Sequence, residues 1–334
     1  VGDVNRDGFV DVIVNRHLSL LLNQAGAYGE VWSEPARHYA ASLVDLDQDG
    51  DLDVFGGGHQ SSPIPSHHVV YLNPGSGVYS PTGPDWEFVS AFNTWSVAVG
   101  DVDQDGDLDL ICGNAGGGQY SWLPEHNQLL LNRGRSAPRD SFLVVVEFPA
   151  LDATTDLALG DIDGDGDLDL VVANDDSTKL YLNVHSEGNP GVGGVFAEEA
   201  SWATEFPEAI TATVGDVDGD GMLDLIVGTT STSRRSRLFL NQGSSPWFGG
   251  AGIAVGDTNG ETQDVLLADA DGDGDLDLFT AALAASEAFK LYLNGAPQVA
   301  TVPDTSMVIS FGTHSLAAGD VNGHGTVDLV GGND

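Results

Sequence analysis

The segment Asp161-Ile162-Asp163-Gly164-Asp165-Gly166-Asp167-Leu168-Asp169 sets five carboxylates at alternate positions within nine residues. Positions 1, 3 and 5 offer side-chain oxygens, position 7 a main-chain carbonyl, and the acid at position 9 closes the set. Glycine at position 6 lets the backbone turn back on itself. Six or seven hard oxygens around one centre suit Ca²⁺, whereas zinc prefers Cys and His, and Mg²⁺ keeps more of its water. Two carboxylates about 5 Å apart repel by about 3 kcal/mol at an effective dielectric near 20, so several converging on one point call for a cation.

The pattern occurs seven times, starting at residues 3, 45, 101, 161, 216, 269 and 320. The second copy is Asp45, Asp47, Asp49, Asp51 and Asp53. The third is Asp101, Asp103, Asp105, Asp107 and Asp109, and the sixth is Asp269, Asp271, Asp273, Asp275 and Asp277. The fifth has Asp216, Asp218, Asp220 and Asp224, with Met222 at the carbonyl position. The first has Asp3, Asn5, Asp7 and Asp11 with Phe9 at the carbonyl position, and Asn5 still supplies an oxygen. The seventh retains Asp320, Asn322 and Asp328 but puts His324 at position 5, so it is expected to hold metal weakly or not at all. About six calcium sites are therefore expected. These are not EF-hands: that loop needs an acid at position 12, and position 12 from Asp101 is Cys112.

The elements that must carry these turns read as strands. An alternating apolar stretch precedes each turn (Ser96 to Gly100, Asp156 to Gly160), and a second follows it (Leu108 to Cys112, Leu168 to Val172). A third is Leu-Tyr-Leu-Asn or a close variant, ending at Asn73, Asn132, Asn183, Asn241 and Asn294. A weaker fourth, such as Phe142 to Phe148, comes before the next copy. Short runs of Val, Leu and aromatics bounded by Gly, Asn and Pro are strand signals, and no helix-length stripe of period 3.6 is present. One unit of about 50 residues without disulfides buries too little surface to stand alone, so stacked repeats are required. The expectation is an all-β fold: a seven-bladed β-propeller of four-stranded antiparallel blades, with calcium-binding loops between first and second strands, as one domain over 1–334.

Charge agrees with this reading. The 334 residues carry 51 Asp+Glu against 11 Lys+Arg, a formal net charge of -40, and 29 of the acids lie in the seven windows. Nucleic-acid binding needs clustered Lys and Arg and is disfavoured, as is docking on an anionic membrane. The apolar runs are too short to span a bilayer. The single Cys excludes an intrachain disulfide framework. The chain opens on Val1-Gly2-Asp3 with no charged-then-apolar leader, so a secretion signal is expected to be absent or removed.

The run Val97-Ala98-Val99-Gly100-Asp101-Val102-Asp103-Gln104-Asp105-Gly106-Asp107-Leu108-Asp109-Leu110-Ile111-Cys112-Gly113-Asn114 resembles the FG-GAP/VCBS repeat family, which includes the integrin α-chain propeller, fungal propeller lectins and many secreted bacterial proteins. The resemblance spans essentially the whole chain. It implies a seven-bladed propeller, mainly structural calcium between the first and second strands of each blade, recognition on the opposite face, and an extracellular or cell-surface setting. Seven full repeats at the mean spacing would need about 370 residues. A longer parent polypeptide is therefore expected, with the C-terminal strands lying beside the N-terminal ones.

Recognition is expected on the variable loops between second and third strands. They hold His59, His67 and His68 in the second repeat, Tyr120 and Trp122 in the third, and Arg234, Arg235 and Arg237 in the fifth. The histidines suit a metal or sugar contact or plain solvation. The aromatics suit a sugar or peptide platform or a blade junction. The arginines suit an anionic group or neutralisation of nearby acid. No nucleophile elbow, phosphate loop or H-E-x-x-H motif is present. The leading expectation is a binding or adhesion module for a glycan or protein. The alternatives are a polysaccharide lyase, with His67, Tyr120 and Arg235 as a conceivable set, or a structural subunit.

Overall fold

The structure is a computed structural model that describes residues 1–24, 27–59, 66–75, 77, 79, 80, 83–90, 92–116, 123–134, 143–185, 195–231, 234–256, 262–282, 289–295, 305–307 and 314–332. The described residues form strands and turns only. They divide into two compact units. The first is residues 1–154 with 192–195 and 320–325, and the second is 155–191, 196–319 and 326–334.

In the first unit, β1 (Val12–Val14), β2 (Arg16–Gln24), β3 (Ala27–Val44), β4 (Asp53–Gly58), β5 (Ser66–Tyr71) and β6 (Trp86–Ser90) form one six-stranded antiparallel sheet in chain order. This departs from the expected units of four, and β3 is the reason. It runs for 18 residues, pairs with β2 up to His38, and pairs with β4 from His38 onward. The last strand of the first repeat thus continues into the first strand of the second. Residues 31–44 contain no Gly, Asn or Asp to break the strand, and Pro35 falls between Ser33 and Arg37, where the register against β2 shifts without ending it. The other sheet of this unit is β7 (Thr94–Gly100), β8 (Asp109–Gly116), β9 (Leu123–Asn132) and β10 (Leu143–Asp152), a four-stranded repeat as expected.

The second unit repeats that plan. Its four-stranded sheets are β11 (Thr154–Gly160), β12 (Asp169–Asn174), β13 (Ser177–Tyr181) and β14 (Trp202–Glu205); β15 (Ala209–Gly215), β16 (Asp224–Thr229), β17 (Ser236–Phe239) and β18 (Ile253–Val255); and β19 (Thr262–Ala268), β20 (Asp277–Ala282), β21 (Phe289–Tyr292) and β22 (Thr305–Met307). A final pair, β23 (Ser315–Gly319) and β24 (Asp328–Gly332), is antiparallel.

Apolar cores lie where successive sheets face one another. In the first unit, Phe55 and Val70 of the second repeat meet Leu110, Cys112 and Leu130 of the third. In the second unit, Val171 and Leu180 of the fourth repeat meet Leu225, Val227 and Phe239 of the fifth. The second strands β8, β12 and β16 are buried along their whole length. Strands covered on both faces need apolar residues without alternation, which is why they read Leu-Ile-Cys, Leu-Val-Val and Leu-Ile-Val.

Candidate metal centres

Each acidic turn from the second to the seventh joins the first and second strands of its repeat (β3 and β4 for the second turn), and the first turn leads into β1. The fold of a turn comes from its own carboxylates. The position-1 aspartate accepts the amide of the position-6 glycine: Gly106 N to Asp101 Oδ2 is 3.1 Å, Gly166 N to Asp161 Oδ2 is 3.1 Å, and Gly221 N to Asp216 Oδ2 is 2.9 Å. The position-5 aspartate accepts the amide of position 7, as Asp167 N does with Asp165 Oδ1 at 2.9 Å. The position-6 glycines have φ between 80 and 95° in all seven turns, where a Cβ is disfavoured.

The closing aspartate at position 9 is buried and ties the turn to the sheet. Asp109 Oδ2 accepts from Val102 N at 3.0 Å, and its Oδ1 accepts from Asn132 N at 2.8 Å. The same pair of bonds forms at Asp11, Asp53, Asp169, Asp224 and Asp277. Each oxygen of this carboxylate therefore already serves a main-chain amide, and Asp169 Oδ2 takes a second, from Asp163 N at 3.4 Å. Burial, the larger effect, and neighbouring carboxylates push Asp53, Asp109 and Asp169 up to about 7 and Asp224 up to about 6, while the two amide bonds pull the other way.

Five turns bring three carboxylates together with one oxygen of each within 4.8 Å of the others: Asp45, Asp47 and Asp53; Asp101, Asp103 and Asp109; Asp161, Asp163 and Asp169; Asp216, Asp218 and Asp224; and Asp269, Asp271 and Asp273. In the third turn, Asp101 Oδ1 is buried and accepts no hydrogen bond. A buried anionic oxygen left without a donor is costly, so this donor set fits a hard cation. Bound there, Ca²⁺ would supply the positive charge that offsets the converging carboxylates, held by positions 1, 3, 5 and 9 and the position-7 carbonyl.

The terminal turns are built differently. In the first, Asn5 turns its amide toward Asp7 Oδ2 at 3.1 Å. In the seventh, Asp320 and Asn322 keep the turn bonds to the amides of Gly325 and His324, and His324 itself is exposed.

Sequence reading missed the part played by the asparagine that ends each third strand. Asn132 Nδ2 donates to Leu108 O of its own turn at 3.1 Å and to Leu46 O of the preceding turn at 2.8 Å. Asn73 bonds Leu52 O and Val4 O in the same way, and Asn241 bonds Leu223 O and Ile162 O. Asn23 bonds Val10 O and, within the first unit, Val321 O at 2.7 Å. The recurrence of Asn after Leu-x-Leu was the available signal. Its partners outside its own turn are 69 to 298 residues away and were not.

Each described candidate recognition residue has its own surroundings. His68 is fully buried: its Nδ1 accepts from Gly58 N at 3.2 Å and its Nε2 faces Gln128 Oε1 at 3.1 Å. Burial lowers it to about 4, and it is a neutral core residue, which corrects the expectation of a surface contact. His67 pairs with Glu87, and half-buried His59 packs its ring on Tyr39, with centroids 4.0 Å apart. Arg234 is exposed, Arg235 is half-buried, and Arg237 donates to Gly252 O at 3.4 Å. Tyr120 and Trp122 lie outside the described residues.

The profile of the FG-GAP-like repeat matches residues 45–112, 161–227, 216–280 and 269–331. The chain belongs to the FG-GAP-like repeat family. No curated protein matches it. Among solved structures, this FG-GAP chain is similar to BBS1N in its complex with ARL6DN. The lead-soaked crystal gives a TM-score of 0.60 at 12% identity, over 99% of this chain and 86% of that chain. The mercury-soaked crystal gives 0.61 at 10%, over 99% and 87%. The rhamnogalacturonan lyase PL11 of Bacillus licheniformis gives 0.49 at 13%, over 95% and 63%. At these identities the BBS1N likeness shows the fold alone, an all-β propeller of four-stranded antiparallel sheets.

Proposed function

We propose that this chain is a seven-bladed, calcium-stabilised binding module of the cell exterior that recognises a glycan or a protein through the loops opposite its acidic turns. The observation that carries the calcium reading is the recurrence of a three-carboxylate cluster, within 4.8 Å, on five turns of the same build. Seven repeats, with the asparagine bond running from Asn23 to Val321, support the blade number. Millimolar extracellular calcium matches open, turn-built sites of this kind.

The recognition reading rests on asymmetry between the two ends of the sheets. The acidic turns from the second to the sixth repeat keep one build, which supports reading them as scaffold. The connections between second and third strands vary: only Asp175 and Asp176 separate β12 from β13, whereas residues 117–122 separate β8 from β9. Variable loops on a repetitive support are where specificity is placed. BBS1N, of like fold, is seen in complex with a protein partner, and a protein ligand is proposed here beside a glycan.

The test has two parts. Thermal melting in calcium and in EDTA tests the scaffold, and an unchanged melting curve would exclude the metal assignment. A glycan array probed with the calcium-loaded chain, run beside cross-linking capture from extracellular fluid, tests recognition. Silence in both would leave a purely structural role.

A further inference from the structure

The turns differ at position 4, and the difference has a direction. Position 4 is left-handed in every turn. Gly164, Gly219, Gly272 and Gly323 occupy it with φ of 79, 75, 80 and 72°, as their lack of a Cβ favours. Arg6, Gln48 and Gln104 occupy it with φ of 58, 55 and 55°. A long side chain at a left-handed position is disfavoured unless its contacts compensate.

The contacts lie in the next turn along the chain. Arg6 Nε is 2.8 Å from Asp51 Oδ1, and Arg6 Nη2 donates to Asp49 O at 3.5 Å. Its guanidinium covers Gly50, where an added Cβ would meet Nη2 at 2.7 Å. Gln48 makes the corresponding reach: its Nε2 donates to Asp107 Oδ1 at 2.7 Å and also to Gly106 O. In both cases position 4 of one turn clasps positions 5 to 7 of the next, the stretch that presents the position-7 carbonyl. The second turn thus receives a fixed positive charge, and the third receives a neutral amide.

We propose that Arg6 sets the calcium affinity of the second turn, holding it below that of the third. The inference rests on the calcium reading above. Asp51 is almost fully covered and is held by Arg6, whereas the Asp45, Asp47 and Asp53 cluster beside it must take a doubly charged ion. A like charge on the rim opposes that ion. Over a separation of about 8 Å in a high dielectric, the opposition corresponds to about a five-fold loss of affinity. A purely structural clasp would instead leave affinity unchanged, or weaken it, when removed.

The experiment is calcium titration calorimetry on the whole chain, for wild type, Arg6→Gln and Arg6→Lys. Gln48 shows that glutamine is accommodated at this position with the same φ. Arg6→Gln should tighten one site about five-fold at about 0.01 M salt and much less at about 1 M, where screening is strong. Arg6→Lys, which keeps the charge, should stay close to wild type. In an Asp45→Asn background, where the second turn is disabled, the Arg6→Gln effect should disappear. An unchanged or weakened isotherm for Arg6→Gln, or an effect that survives in the Asp45→Asn background, overturns the inference while the calcium reading stands. Absence of calcium binding in wild type overturns both.

Discussion

Asn132 and Leu46 are 86 residues apart in the chain, yet the Asn132 side-chain amide donates to the Leu46 carbonyl at 2.8 Å. Asn132 is fully buried, and the same amide also holds Leu108 O. One side chain therefore joins the third strand of its repeat to two acidic turns, its own and the one before. Because the bonded carbonyls are at positions 2 and 8 of the turns, the staple fixes the frame in which the aspartates converge.

Removing that staple should be costly. Asn132→Ala leaves the buried bond to the Leu46 carbonyl and the part-buried bond to the Leu108 carbonyl unmade, and a loss of about 2 to 4 kcal/mol is expected, at about 1–3 for each unsatisfied group with partial relaxation. Urea unfolding with calcium held constant measures it. A loss below about 0.5 kcal/mol would mean that water replaces the amide.

Chelation should lower the melting temperature by more than about 10 °C, since each site at a hundred-fold excess of ligand contributes about 2.7 kcal/mol and several sites act together. Asp101→Asn should remove one equivalent of tightly bound calcium, counted by equilibrium dialysis, and leave the rest. Loss of all equivalents together would show that the turns bind as one unit.

The calcium effect should grow with pH. Without a cation, Asp53, Asp109 and Asp169 are held up to about 7, so the folded chain binds more protons than the unfolded chain between about 4 and 7. Cation-free stability contributed by these groups is present below that window and falls as pH rises through it. Calcium requires the deprotonated carboxylates, so the gap between melting temperatures with and without calcium should widen from pH 4 to pH 7. A gap independent of pH would separate the closing aspartates from the metal.

His68 acts in the opposite sense. Its folded value near 4 is below the ordinary value of 6.5, so the unfolded chain takes up the proton first. Stability from this group is complete above about 6.5 and is lost as pH falls toward 4. Replacement by Phe removes the titration. The wild-type advantage over His68→Phe, measured by denaturant unfolding, should therefore shrink across that range.

The sequence by itself determined the turn and the repeat. Alternate aspartates with glycine at position 6 define a nine-residue loop whose bonds are nearly all internal, such as Gly166 N to Asp161, so local spacing was enough to read it. The apolar runs of β8, β12 and β16 were legible for a similar reason, since a strand covered on both faces leaves a continuous signature. Tertiary structure alone decided the rest. It fused two repeats through His38, buried His68 against Gln128 of the next sheet, and set Asn132 on Leu46 and Arg6 on Asp51. Each of these contacts joins residues of different repeats, which become neighbours only once the repeats are assembled. A one-dimensional pattern carries the identity of such residues but not the partner that gives them a role.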